Sequence, residues 1–398
     1  MTKNRKTNLI SVAVCAVLTL ALLMLPTGFE GAVKKDNSQR VKAEVLSVDN
    51  SNIIDTGLVQ SGEQSCQVRI LQGDFKGEEH TCVNTLTGSL EQDKIFEPGD
   101  MALVMVSQSD GEVKAVSASD HYRINWEIGL GIAFFAFLVA FAGWTGVRAM
   151  LSFVISILMI WKVLVPSCLK GYNAILVGGI VTVALTVLII MLVYGFDKRS
   201  LSAIAGSVAG LIVTCIMGII CTKGFKIHGA VMAYSESLLY SGYQNLDLTQ
   251  IFMASIFIGS SGAMMDLTVD ITSAVYEVVQ KRPDLSRKEA VKSGINVGRA
   301  AMGTMTTTLL LAYSGGFIAL MMVFMAQGTP IINIFNYKYV ASELIHTIVG
   351  SFGLVTAAPL TALAAGCILG GQKTHLQENE GCAAVPELEA LLEEERTE

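Results

Sequence analysis

Long uncharged apolar runs alternate along this chain with short polar connections, and one ninety-residue segment breaks the pattern. The first run, Asn8 to Leu25, follows Lys3, Arg5 and Lys6. It is about long enough to cross the roughly 30 Å hydrocarbon layer of a bilayer. We read it as a retained anchor over 1–29; a cleaved signal peptide is the alternative. From Glu30 to Arg123 charges become frequent and short alternating stretches appear, at 41–46, 67–71 and 101–106. Turn signals such as Gln72-Gly73, Pro98-Gly99-Asp100 and Ser109-Asp110-Gly111 separate them. Period-two alternation bounded by Gly, Pro and Asp predicts strands, so 30–124 is expected to be a small β domain, a barrel by preference.

The apolar runs then resume, and seven further spans are predicted at 126–143, 149–165, 172–194, 201–221, 249–278, 299–326 and 340–370. The last three exceed the roughly 20 residues a crossing needs, so tilts or kinks are expected, with Pro359 kinking the last. The stretch 222–250, holding His228, Tyr234, Glu236, Tyr240 and Tyr243, reads as an interfacial or re-entrant helix. The expected fold is therefore a membrane α-helical bundle of about eight transmembrane helices, with a small exported β domain between helices one and two. A seven-helix membrane domain covers 125–371 and an acidic tail covers 372–398. That tail has eight Glu against Lys373 and Arg396; it reads as a solvated tail or a short partner-binding helix.

Composition agrees with this pattern: 52% of the 398 residues are hydrophobic and only 16% charged. An average soluble chain has about 25% charged residues, so a soluble enzyme and a disordered chain are both disfavoured. A net charge of −6 gives no reason to expect nucleic acid as a partner. The bilayer is the expected partner, with a paralogous membrane subunit or a second copy of the chain as further ones. Basic residues in the short loops set the orientation. With the N-terminus inside, Arg148, Lys198-Arg199 and the stretch from Lys281 to Arg299 all fall on the cytoplasmic side. Both termini are then cytoplasmic and the β domain lies outside, in a bacterial plasma membrane.

Eight cysteines are scattered through spans, tail and β domain. Only Cys66 and Cys82 share the exported segment, so a bridge between them is expected, with two free core thiols as the alternative. No spacing resembles a metal-ligand set, and no phosphate-binding glycine loop occurs. Neither a metal, a cofactor nor a catalytic residue is therefore assigned.

The polar residues inside the spans carry the functional signal. In the sixth span Gly259, Asp266 and Ser273 are seven residues apart, as are Ala263, Asp270 and Glu277. One helix face thus carries all three carboxylates among small residues, including Gly262, that let a neighbouring backbone come close. A mid-membrane Asp costs about 2.5–3.5 kcal/mol on insertion scales. Asp266 and Asp270, one turn apart, repel when both are ionised, and one shared proton relieves that. They read as a proton or cation relay, or as a structural pair bonded to neighbouring hydroxyls. In the seventh span Gly303 is a helix-contact candidate, and the Thr304 and Thr307 hydroxyls are candidates to satisfy those carboxylates across the contact. Arg299 reads as a snorkelling residue or a partner of Glu277, itself a solvated or helix-pairing residue. In the eighth span Glu343 and His346 form a polar pair at i, i+3 near the outer boundary, either an entrance to the relay or an interfacial anchor.

These segments resemble the YibE/F family of bacterial multi-pass membrane proteins. The resemblance rests on Gly262-Ala-Met-Met-Asp266 through Tyr276-Glu277, the basic stretch that follows, and Gly298-Arg299…Gly303-Thr-Met-Thr306-Thr-Thr308. Gly73-Asp-Phe75-Lys-Gly77-Glu78, Asn84 and Pro98-Gly99-Asp100 are similar to it as well. The family implies the architecture and no defined activity. A partial resemblance to the SecD/SecF branch of the RND transporters implies a proton path at Asp266 or Asp270, with Arg299 at a helix boundary. Together these readings favour a proton- or cation-coupled transporter or its energising subunit. The alternative is a non-transporting scaffold or sensor whose β domain binds a partner.

Overall fold

The computed structural model describes residues 3–29, 38–109 and 112–370, with side chains from Val12 onward. The acidic tail and Cys382 lie outside the described residues. The chain divides into two compact units, Pro26–Val147 and a second that joins Met1–Leu25 to Arg148–Glu398.

The first unit is built from five strands: β1 Ser38–Asp55, β2 Gln60–Ile70, β3 Glu79–Thr87, β4 Met101–Ser109 and β5 Glu112–His121. They close into a barrel in the order β1-β2-β3-β5-β4. Every pairing is antiparallel except β3 with β5, which is parallel and links only Cys82 to Val116 and Val83 to Ser117. That is the topology of an OB-fold barrel. The alternation seen in the sequence aims Val41, Ala43, Val45, Val68, Ile70, Val104 and Val106 inward, and Phe75 and Phe96 plug the interior. Two amides are buried with them. Gln64 donates to the Phe96 carbonyl at 2.9 Å and accepts from the Phe96 amide at 3.0 Å and from Asn84 at 3.1 Å. Asn84 also donates to the Lys94 carbonyl at 2.6 Å, so the segment between β3 and β4 is tied to the barrel wall.

Cys66 and Cys82 face each other in register across β2 and β3, both buried. They are free thiols rather than the expected disulfide. The inward alternation of both strands places them in the apolar core, where they serve as small packing residues. Burial pushes the Cys66 thiol up to about 11, and burial with the neighbouring sulfur pushes Cys82 up to about 12. The helix α2, Ile124–Ala142, completes this unit and buries none of its residues.

The second unit is helical: α1 Lys3–Met24, α3 Trp144–Met159 (beginning just before the unit), α4 Val165–Leu169, α5 Ala174–Tyr194, α6 Lys198–Gly224, α7 Ser235–Tyr240, α8 Leu248–Lys281, α9 Arg287–Ser314, α10 Ile318–Ala326, α11 Ile331–Asn336 and α12 Lys338–Leu369. A π turn at Ile160–Leu164 joins α3 to α4, and a 3-10 turn at Gly315–Phe317 joins α9 to α10. Seven described helices, counting α2, are long and apolar enough to cross a membrane; in α1 the described apolar part is Val12–Met24.

Two expectations are corrected here. The basic stretch after Glu277 is mostly helix, because Ser286 and Glu289 form a capping box that starts α9 twelve residues before the predicted span. The stretch 222–250 contains only a 3-10 turn and the six-residue α7 between α6 and α8.

The core of the helical unit sits around α12, which packs against α6, α8 and α9. Small residues permit that approach. A Cβ on Gly206 or Gly353 would collide with Thr361 or Thr214 across the α6–α12 contact. Gly294 and Gly298 of α9 meet Ala362 and Ala358 of α12 in the same way. Pro359 lies within α12.

Candidate functional site

Helix α8 starts at Asp247, whose carboxylate accepts from the Thr249 and Gln250 amides at 3.0 and 3.1 Å. At 34 residues it is about 51 Å long, well beyond a hydrocarbon thickness of about 30 Å. One side is fully packed: Phe257, Met264, Leu267, Thr268, Ile271, Thr272 and Val275 are buried. The other side is open. Gly259, Gly262, Asp266, Asp270, Ser273 and Glu277, spaced three or four apart, are all exposed. Between Gly262 and Asp270 the face singled out by heptad spacing is thus one that the rest of the described chain leaves uncovered, while Tyr313 and Tyr194 reach its ends at Gly259 and Ser273.

Its carboxylates behave unequally. Glu277 pairs with Lys281 one turn on, at 2.9 Å, and not with Arg299. Asp266 and Asp270 make no hydrogen bond and no ion pair within the described chain. The threonines expected to satisfy them bond to their own helix instead: Thr304 to the Ala301 carbonyl at 3.0 Å and Thr307 to Gly303 at 3.0 Å. Thr306 and Thr308 do the same. A hydroxyl bonded to the preceding turn is already satisfied, so these residues make α9's open face small and polar without reaching α8.

Packing of α9 on α8 sets the level of each group. Gly298 lies against Ile271, Gly294 against Val275, and Gly259 against the Tyr313 hydroxyl. This antiparallel register puts Arg299 level with Asp270, and Gly303 level with Asp266. Arg299, Gly303, Thr304 and Thr307 are exposed, on a second open stripe. Neither Gly262 nor Gly303 has a neighbour where a Cβ would go.

At each end of the α8 stripe stand residues of other helices, among them the predicted pair Glu343 and His346 and, unforeseen at this place, Tyr194, Arg199 and Tyr313. Toward the C-terminal end, the Tyr194 hydroxyl donates to the Val269 carbonyl at 2.6 Å and meets Ser273 Oγ at 2.5 Å. The Arg199 guanidinium covers the Tyr194 and Tyr276 rings, with centroids 5.1 and 4.4 Å away, and pairs with Asp197 at 2.7 Å. Toward the N-terminal end, the His346 ring stacks on Phe252 at 5.0 Å, tilts against Tyr313 at 5.5 Å, and shares a 3.1 Å hydrogen bond with Ser255 Oγ. Glu343, one turn before, does not bond His346, and its Oε1 is buried without a partner. Ser255 continues the stripe one turn before Gly259, so polar groups mark α8 from Ser255 to Glu277. Tyr194 comes from α5 and Tyr313 from α9, and no spacing in the sequence points to either. Among the described residues, no group of three or more His, Cys, Asp or Glu is arranged to hold a metal.

The family model for YibE/F-like proteins matches residues 130–371, and the model for the YibE/F family N-terminal domain matches 35–120. No curated protein and no solved structure matches the chain. The two models cover the barrel and the helices from α2 to α12, and the chain belongs to the YibE/F family.

Proposed function

We infer that this YibE/F-family chain is a multi-pass protein of the bacterial plasma membrane that couples proton or cation movement to transport, alone or as the energising subunit of a larger transporter. The observation that carries the reading is the pair Asp266 and Asp270, unpaired on an open face of small residues midway along α8. An ionised Asp facing lipid is expensive, so this face belongs against water or another polypeptide. Two carboxylates one turn apart exchange a proton or hold a cation between them, and their small neighbours leave room for it. Arg299 level with Asp270 supplies a counter-charge whose approach would empty the pair. The face's complement is a paralogous subunit or a second copy. In this orientation both termini are cytoplasmic and the barrel is outside.

Proteoliposomes carrying a trapped pH dye test the reading under an imposed gradient. Asp266→Asn and Asp270→Asn are each expected to lower flux at least tenfold at unchanged protein content, while Asp266→Glu retains part of it. Wild-type flux in both Asn variants would refute the reading. The OB-fold topology of the barrel favours a second one, a scaffold or sensor that binds a partner outside. Deleting 38–121 with flux intact and partner-dependent phenotypes lost would support that division of labour.

A further inference from the structure

We propose that the cleft between the end of α6 and the start of α8 binds the anionic phosphate headgroup of an amphiphile, with its apolar tail against the isoleucine wall. The cleft has a volume of about 570 Å³. Its walls are apolar, formed by Ile175, Ile219, Ile227 and Met253, while its rim carries Lys223, Lys226 and His228. An apolar slot with a cationic rim is complementary to an apolar chain that ends in a negative charge.

Three observations point to a ligand. Thr222 lines the cleft and is only 1% exposed, yet its Oγ1 has no hydrogen-bond partner. A buried hydroxyl left unbonded is costly, and an oxygen acceptor in the cleft would satisfy it. Lys226 holds a left-handed backbone, φ 52°, at the turn that ends α6, where glycine is the favoured residue. Keeping a lysine there retains a positive charge at the expense of backbone strain, a pattern associated with binding sites. His228 Nδ1 accepts from the Ala230 amide at 3.2 Å, so in the neutral ring the proton is on Nε2, which is left as a donor.

The charge balance is positive. Asp247 is the one carboxylate lining the cleft, against two lysines. It is occupied with the Thr249 and Gln250 amides and with Gln250 Nε2 at 2.8 Å. Gly229 wedges this segment against the Leu248 carbonyl, where no side chain would fit, so the rim is held on the first turn of α8. The assignment rests on the chain lying in a bilayer and not on proton chemistry at Asp266, so either can fail alone.

Native mass spectrometry of the full-length chain, released from nanodiscs of mixed phosphatidylglycerol and phosphatidylcholine, tests it. The wild type is expected to retain phosphatidylglycerol preferentially. Lys223→Gln and Lys226→Gln should each weaken retention about tenfold, the scale of one charge-assisted contact. Lys226→Gly removes the cation while relieving the backbone, so it folds at least as well as the wild type and still loses the lipid. Arg282→Gln, the same loss of one positive charge at the other end of α8, should leave retention unaltered. Equal loss in that control, no preference in the wild type, or stabilisation by inorganic phosphate alone without lipid retention would each overturn the proposal.

Discussion

The α6–α12 contact and the open face of α8 and α9 use the same small residues to opposite ends. At α6–α12, Gly206 and Gly353 abut a threonine on the facing helix, and the Thr214 and Thr361 hydroxyls bond their own carbonyls at 3.0 and 2.6 Å. On the open face Gly262 and Gly303 meet nothing among the described residues, and two carboxylates stand among them. Small residues alone therefore say only that something comes close. Whether that neighbour is the same chain is decided by which faces the fold has already filled.

One methyl group added to each face separates the two most strongly. The Gly206→Ala methyl lands against Thr361, 2.8 Å from its Cα, which no rotamer change relieves. It is expected to cost about 1–3 kcal/mol or more, lowering the Tm by about 2–4 °C per kcal/mol. Gly303→Ala should lie within about 0.5 kcal/mol of wild type in the isolated chain. Equal losses in a thermal melt would erase the distinction.

The barrel offers a second contrast, since its buried polar groups are nearly all satisfied. Gln64→Ala strands the Phe96 amide and carbonyl and one Asn84 donor. It is expected to destabilise the barrel by about 2–4 kcal/mol, read as a fall in denaturant midpoint, with flux through the helical unit per folded molecule unchanged.

A smaller effect comes from Asp93, whose carboxylate takes the Thr87 amide first, then those of Ser89 and Gly88, and so titrates below the usual carboxylate range. A depressed folded pKa contributes stability above the unfolded value of about 3.9 and loses it as the pH falls below that. Asp93→Asn should therefore melt earlier than wild type at pH 7, and the difference should close below about pH 3–4. A gap independent of pH would contradict the assignment. Smaller still, Cys66 and Cys82, with thiols raised to about 11 and 12, should alkylate at pH 8 roughly a hundredfold or more slower than an exposed cysteine. Rapid labelling of the folded barrel would contradict their burial.

Much of this was legible in the sequence because both periodicities are strong. Alternation at 41–46, 67–71 and 101–106 located β1, β2 and β4, and heptad spacing found the α8 face that is exposed. The OB topology was hidden because its defining parallel contact spans two residue pairs and has no local signature. The start of α9 was written in Ser286 and Glu289, but the basic residues around them looked like a loop. Tyr194, Arg199 and Tyr313 reach α8 from other helices, so only packing reveals them. The threonine row misled because a hydroxyl on a helix can turn inward to its own backbone, and spacing does not say which way it turns.

Whether Asp266 and Asp270 bind a proton between them is read by infrared difference spectroscopy of the full chain in lipid. A carboxylic-acid band is expected that grows on acidification and disappears in Asp266→Asn and in Asp270→Asn. The same band in wild type and both variants, or no such band in wild type, would contradict it.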